Sequence, residues 1–138
     1  MPVFYADHAQ HATSAGAFLA ASKDDFCALR SIGEVYATLT GLPVRPRITG
    51  PEGVRIVSQI SERLTLVTLS EAEYNAAIET AARNGIVGAA LYDALIAECA
   101  LKANASMLLT WNVRDFMRLG TAIASIVKTP LELNLERA

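Results

Sequence analysis

The chain has 138 residues, 52% of them hydrophobic and 19% charged, with a net charge of −2. That length suits a single domain spanning 1–138 that buries roughly two thirds of its unfolded surface, and the composition excludes a disordered polypeptide. No apolar run reaches the roughly 18 residues of a membrane span, and the mild acidity gives no sign of the basic balance common in nucleic-acid binders.

The N-terminus, Met1-Pro2-Val3-Phe4-Tyr5-Ala6-Asp7, lacks the basic lead and long apolar stretch of a signal peptide, so a cytoplasmic protein is expected. Residues 2–6 form a short strand candidate. From about His8 to Ala21 the alanine-rich stretch reads as helix, with Ala12, Ala15, Phe18 and Leu19 at helical spacing. Lys23-Asp24-Asp25 breaks it, and Phe26-Cys27-Ala28-Leu29 is a short buried strand. Ser31 is the expected N-cap of the next helix, with Glu34 at capping-box distance. That helix runs through Val35, Leu39 and Leu42 until Pro43. Three prolines and two glycines between Pro43 and Gly53 mark a loop.

A helix over about Pro51–Arg63 follows, with proline in the position it prefers. Leu64 to Leu69, rich in leucine and β-branched residues, reads as a buried strand. Ser70-Glu71-Ala72-Glu73 opens a helix that Asn84-Gly85 ends. Gly88 to about Ala103 is a helix with Leu91, Leu95, Ile96, Cys99 and Ala100 on its apolar side. Met107–Thr110 is a strand, Arg114–Leu119 a brief helix, and Ile123–Val127 the last strand. Short apolar strands alternating with helices predict an α/β domain, its short and mostly parallel sheet covered on both faces. Cys27 and Cys99 lack any CxxC or Cys/His ligand spacing and read as small buried residues of a reducing compartment.

Three carboxylates fall where such a fold gathers chemistry. Glu34 lies in the first turn after a strand, Asp93 early in the helix from Gly88, and Asp115 just past the strand 107–110, near Thr110 and Asn112. Residues beyond the carboxyl ends of parallel strands converge in one crevice. Clustered carboxylates repel and call for a cation, and hard oxygen donors suit Mg²⁺ or Mn²⁺. Such an ion polarises a phosphoryl oxygen and lowers the pKa of a bound water, which equips a site for phosphodiester hydrolysis. Each residue also has a plainer reading. On that reading Glu34 serves only Ser31 as a capping partner, Asp93 only solvates its helix, and Asp115 only begins a short one. Thr110 and Asn112 are ordinary strand-end and turn residues, and His8 and His11 read as exposed residues of a first helical turn.

Three segments resemble the PIN-domain ribonucleases, in particular VapC-like toxins. Gly88-Ala89-Ala90-Leu91-Tyr92-Asp93-Ala94-Leu95-Ile96-Ala97 is similar to that family's G-x-x-x-Y-D-A-L-I-A helix. Leu109-Thr110-Trp111-Asn112-Val113-Arg114-Asp115-Phe116 resembles its L-T-x-N-x-x-D-F signature. Ser31-Ile32-Gly33-Glu34-Val35-Tyr36-Ala37-Thr38-Leu39-Thr40 resembles its S-x-x-E-x-x-x-x-L segment, and Thr129-Pro130 its closing strand and turn. The resemblance implies a PIN-like α/β fold and a Mg²⁺- or Mn²⁺-dependent endoribonuclease. It makes Glu34, Asp93 and Asp115 acids of the metal centre, with Thr110 and Asn112 as supporting polar residues. It also implies an RNA substrate, a VapB-like antitoxin partner that blocks the site, and a homodimer. A local basic surface with Arg45, Arg47 or Arg114 would grip RNA despite the net charge.

The chain departs from the family pattern at one place. Members open with a strand ending in L-D-T-N or L-D-T-S, whose Asp is a principal metal ligand, and no such motif precedes Glu34. On one alignment Asp7 is that acid. On the other, Asp7-His8-Ala9-Gln10-His11 matches the D-H-x-x-H stretch found about ten residues after it, which the separation from Asp7 to Glu34 favours. The second alignment implies a truncated or degenerate member lacking its first strand, whose rival function is partner binding without catalysis.

Overall fold

The structure, a computed structural model, describes residues 19–132. Strand β1 (Phe26–Ala28) runs directly into helix α1 (Leu29–Thr40). Because the helix starts on the residue after the strand, Ala28 is its N-cap and no side chain caps it. Ser31 therefore lies inside the first turn, and the expected Ser31–Glu34 capping box does not form. The box forms instead at α2 (Gly50–Arg63). Thr49 Oγ1 accepts from the Glu52 N–H at 3.3 Å, and Glu52 Oε1 accepts from the Thr49 N–H at 3.3 Å and its hydroxyl at 2.8 Å. This start shortens the predicted loop Pro43–Gly53, with Pro51 in a first turn where its missing N–H costs nothing.

Helices α1 and α2 pack through Val35, Leu39 and Ile60, supported by Ile32, Leu42, Ile48, Ile56, Val57 and Leu64. Their approach depends on Gly53, which is buried: a Cβ there would lie 2.9 Å from Cδ2 of the Tyr36 ring and 3.2 Å from Thr40 Cγ2. Strand β2 (Thr65–Val67) follows and pairs in parallel with β1, Cys27 opposite Leu66. Lys23 closes the end of α2 by donating Nζ to the carbonyls of Ser61 (2.6 Å) and Leu64 (2.8 Å). Leu64, Thr68 and Leu69, expected within the strand, flank it.

Ser70 caps α3 (Glu71–Arg83) as expected, in a full box with Glu73. The helix ends at Asn84 and Gly85, whose φ of +72° lets Ile86 N–H turn back to the Ala81 carbonyl at 2.9 Å. Helix α4 (Ala90–Lys102) begins two residues later than expected, because Gly88 stands at φ +65° and does not share the helical backbone. Lys102 then ties α4 to α3 and to the end of β2. Its Nζ donates to Glu73 Oε1 at 2.7 Å and to the Thr68 carbonyl at 2.8 Å.

The rest of the described chain is β3 (Leu108–Leu109), α5 (Val113–Met117), α6 (Thr121–Ala124) and β4 (Val127–Lys128), with β3 and β4 parallel. The expected strand Ile123–Val127 is a correction. Ile123 belongs to α6, where Gly120 at φ +103° redirects the chain and Ala124 N–H bonds back to the Gly120 carbonyl at 2.9 Å. Ile123 reaches the core from this turn, at 1% exposure, beside Ala97, Leu108, Phe116 and Val127.

The architecture is α/β with short parallel strands, but the described residues form two separate two-stranded pairs rather than one sheet. The predicted strand 2–6 and the predicted helix up to residue 18 lie outside the described residues, and Leu19–Ala20 are helical. Among the described residues no helix is long and apolar enough to cross a membrane. Cys27 and Cys99 are free thiols, and burial, with Cys99 adding, pushes the Cys27 thiol up to about 11.

Two outcomes are expected. Gly53→Ala forces Tyr36 aside and destabilises the protein by about 1–3 kcal/mol, read from urea unfolding. The Lys102 ammonium, with the Ser70 N–H and hydroxyl, holds the Glu73 carboxyl down to about 2, against an ordinary 4.5. A depressed pKa adds stability above the unfolded value, lost as pH falls through the folded one. Glu73→Gln therefore lowers the melting temperature at pH 7, and its difference from the parent closes between pH 4.5 and 2.

Candidate functional site

Asp93 sits in the first turn of α4 and is half-buried. An acid there gains from the helix N-terminus, yet its pKa is raised. Burial is the main cause, followed by the negative charges of Asp115 and then Glu34. Asp115 and Glu34 thus act on Asp93 through space although the three come from separate helices. Asp115 is exposed in the first turn of α5, and Glu34 is exposed in the second turn of α1.

Glu34 is not a capping residue. It accepts a hydrogen bond from Arg30 Nε at 3.1 Å, one helical turn back, and the Arg30 guanidinium lies 3.7 Å from the centroid of the Tyr92 ring on α4. Arg30 thereby connects the helix carrying Glu34 to the helix carrying Asp93. The spacing of Arg30 and Glu34 is visible in the sequence as an i, i+4 pair, but its place over Tyr92 is not.

Thr110 and Asn112 shape the turn that delivers Asp115. Thr110 Oγ1 accepts from the Asn112 N–H at 3.0 Å, and the Asn112 carbonyl accepts from the Asp115 N–H at 3.0 Å. Asn112 occupies the N-cap position of α5, but its side chain makes no capping bond. Of the arginines expected to grip RNA, Arg45 and Arg47 are exposed on the loop before α2, and Arg114 is exposed next to Asp115. Asp7, His8 and His11 lie outside the described residues.

Among the described residues, no three His, Cys, Asp or Glu side chains stand close enough to hold one metal ion together. The donor chemistry nevertheless fits Mg²⁺ or Mn²⁺, because Mg²⁺ uses one or two carboxylates and completes its shell with water and substrate oxygens. Asp93, flanked by the charges of Asp115 and Glu34, is the residue best placed to hold it. A surface groove of about 380 Å³ between α3 and α4, lined by Leu69, Glu73, Thr80, Glu98 and Lys102 among others, includes none of the five predicted site residues. Glu34 and Asp115 are exposed and Asp93 is half-buried.

The chain matches no protein-family model, no curated protein and no solved structure.

A raised carboxyl pKa means that folding favours the protonated acid. The associated stability is complete below the ordinary value of 3.8 and is lost as pH rises through the folded pKa. In EDTA at pH 7, Asp93→Asn is therefore expected to raise the melting temperature. The gain should vanish below pH 3.8, and an equal gain at both pH values would contradict the charge assignment.

Proposed function

We propose that the chain is a Mg²⁺- or Mn²⁺-dependent endoribonuclease with a PIN-like fold, similar to VapC toxins. The observation that carries the reading is Asp93: a half-buried acid at a helix start, its pKa raised by burial and by two further acids from other helices. Such a group costs stability in the absence of a cation, and perturbed acids of this kind mark functional sites. The segment resemblances around Glu34, Asp93 and Asp115 support the same assignment.

On this reading Asp93 would hold the cation, and Asp115 and Glu34 would act on it through bound water or through their charge. The ion supplies Lewis-acid polarisation of a phosphoryl oxygen and a water of lowered pKa. The chain's own work would be to carry the charges of Asp115 and Glu34 to Asp93 from two other helices. Thr110 and Asn112 set the backbone turn from which Asp115 projects. RNA is the substrate, a VapB-like antitoxin the partner and a homodimer the assembly, in the cytoplasm.

One observation favours a second reading. The described residues close no three-ligand cage, as expected of a degenerate PIN-fold protein that binds a partner without cutting RNA. Cleavage of a structured RNA, with Mg²⁺ or with EDTA, separates the two. The nuclease reading expects Mg²⁺-dependent cleavage that falls in Asp93→Asn by about 10- to 100-fold or more, the range typical of lesser losses around metal sites. If Asp7→Asn abolishes cleavage as well, Asp7 is the first acid. No cleavage of any RNA by a folded chain that still captures a partner establishes the binder.

A further inference from the structure

Arg30 is held in two ways at the border of the acid cluster. Its Nε donates to Glu34 Oε1 at 3.1 Å, and its guanidinium carbon lies 3.7 Å from the centroid of the Tyr92 ring, immediately before Asp93 on α4. Its side chain remains 40% exposed. Among the described residues, no hydrogen bond is made by Nη1 or Nη2.

Stability is a weak reason for this arrangement, since an exposed i, i+4 ion pair contributes little. Its geometric consequence is larger. One edge is anchored to a carboxylate and one face to an aromatic ring, so the flexible side chain has lost most of its freedom before any ligand arrives. What remains presented is the Nη1/Nη2 edge, a planar fork of N–H donors that matches two oxygens of a phosphate. The surrounding acids repel phosphate, so a single fixed cation beside them determines where an anionic strand can settle.

We propose that Arg30 is the phosphodiester-binding residue of the site, its Nη edge taking a phosphate of single-stranded RNA laid across Glu34, Asp93 and Asp115, with Tyr92 and Glu34 as its supports. This rests on the nuclease reading and adds the contact that sets the register of the strand.

The test is equilibrium binding of a fluorescently labelled single-stranded RNA dodecamer in EDTA, where metal-dependent cleavage is stopped, over a series of salt concentrations. Arg30→Ala is expected to bind about 10- to 100-fold more weakly, as for loss of charge-assisted hydrogen bonds. The slope of log K against log salt should fall by about 0.7, the value for one phosphate contact on a single strand. Arg30→Lys keeps the charge and loses the fork, so the slope stays while affinity falls. Tyr92→Ala weakens binding with Arg30 still present, and Tyr92→Phe, which keeps the ring face, weakens it less. Should Arg30→Ala fail to fold, Arg30→Lys decides, and unchanged affinity in it overturns the proposal. If the parent binds and Arg30→Ala matches it in affinity and slope, Arg30 is only a surface ion pair, while Mg²⁺-dependent cleavage keeps the nuclease reading alive. If the parent neither binds nor cleaves RNA, both fall together.

Discussion

Burial of one helix, α4, is the constraint on which the rest of the described structure depends. Ala94, Leu95, Ala97 and Cys99 are all buried, so the helix is enclosed on more than one side. Ala97 packs into the core formed with Leu108, Phe116, Ile123 and Val127. Cys99 lies against the other strand pair, its Sγ 3.7 Å from the Val67 carbonyl. Small side chains make this possible, because alanine lets neighbouring backbones approach without loss of packing. Asp93 is carried to its half-buried place by the same packing, since it precedes Ala94 and Leu95 in the turn that enters the core.

That placement creates a charge problem with a visible partial solution. Asp93 loses hydration and feels Asp115 and Glu34. Glu34 has its charge offset by Arg30, and the same arginine rests on Tyr92, the residue next to Asp93. Two helices that would be pushed apart by their acids are thus joined by a cation on one of them and an aromatic ring on the other. The unfavourable charge at Asp93 costs stability. Helix caps and apolar cores elsewhere offset it, including the two capping boxes at α2 and α3.

The strands contribute less than their helices. Two-stranded pairs of two or three residues are marginal alone, and parallel strands persist mainly where helices cover them. Here β1 and β2 are secured from the side: Lys23 holds the end of α2, and Thr65 donates its hydroxyl to the Lys23 carbonyl at 2.6 Å. β3 and β4 are secured by Phe116 and Ile123 from α5 and α6. The site acids lie on helices, which makes their separation a matter of helix packing.

The sequence by itself determined the features that depend on near neighbours. Ser70 and Glu73 announce the start of α3, Asn84-Gly85 its end, and Pro51 the opening of α2, because caps and turns are satisfied within a few residues. The alternation of apolar strands and helices announced the α/β class. Other features were decided only by the folded chain. Ser31 has the right spacing for a cap but no turn in which to act, since β1 passes straight into α1. Ile123 has a strand-like neighbourhood but is drawn into a helical turn by Gly120 and the core beneath it. The pressure on Asp93 and the seat of Arg30 on Tyr92 arise between residues far apart in the chain. Coulomb forces, burial and ring contacts act through space, and only packing sets those distances.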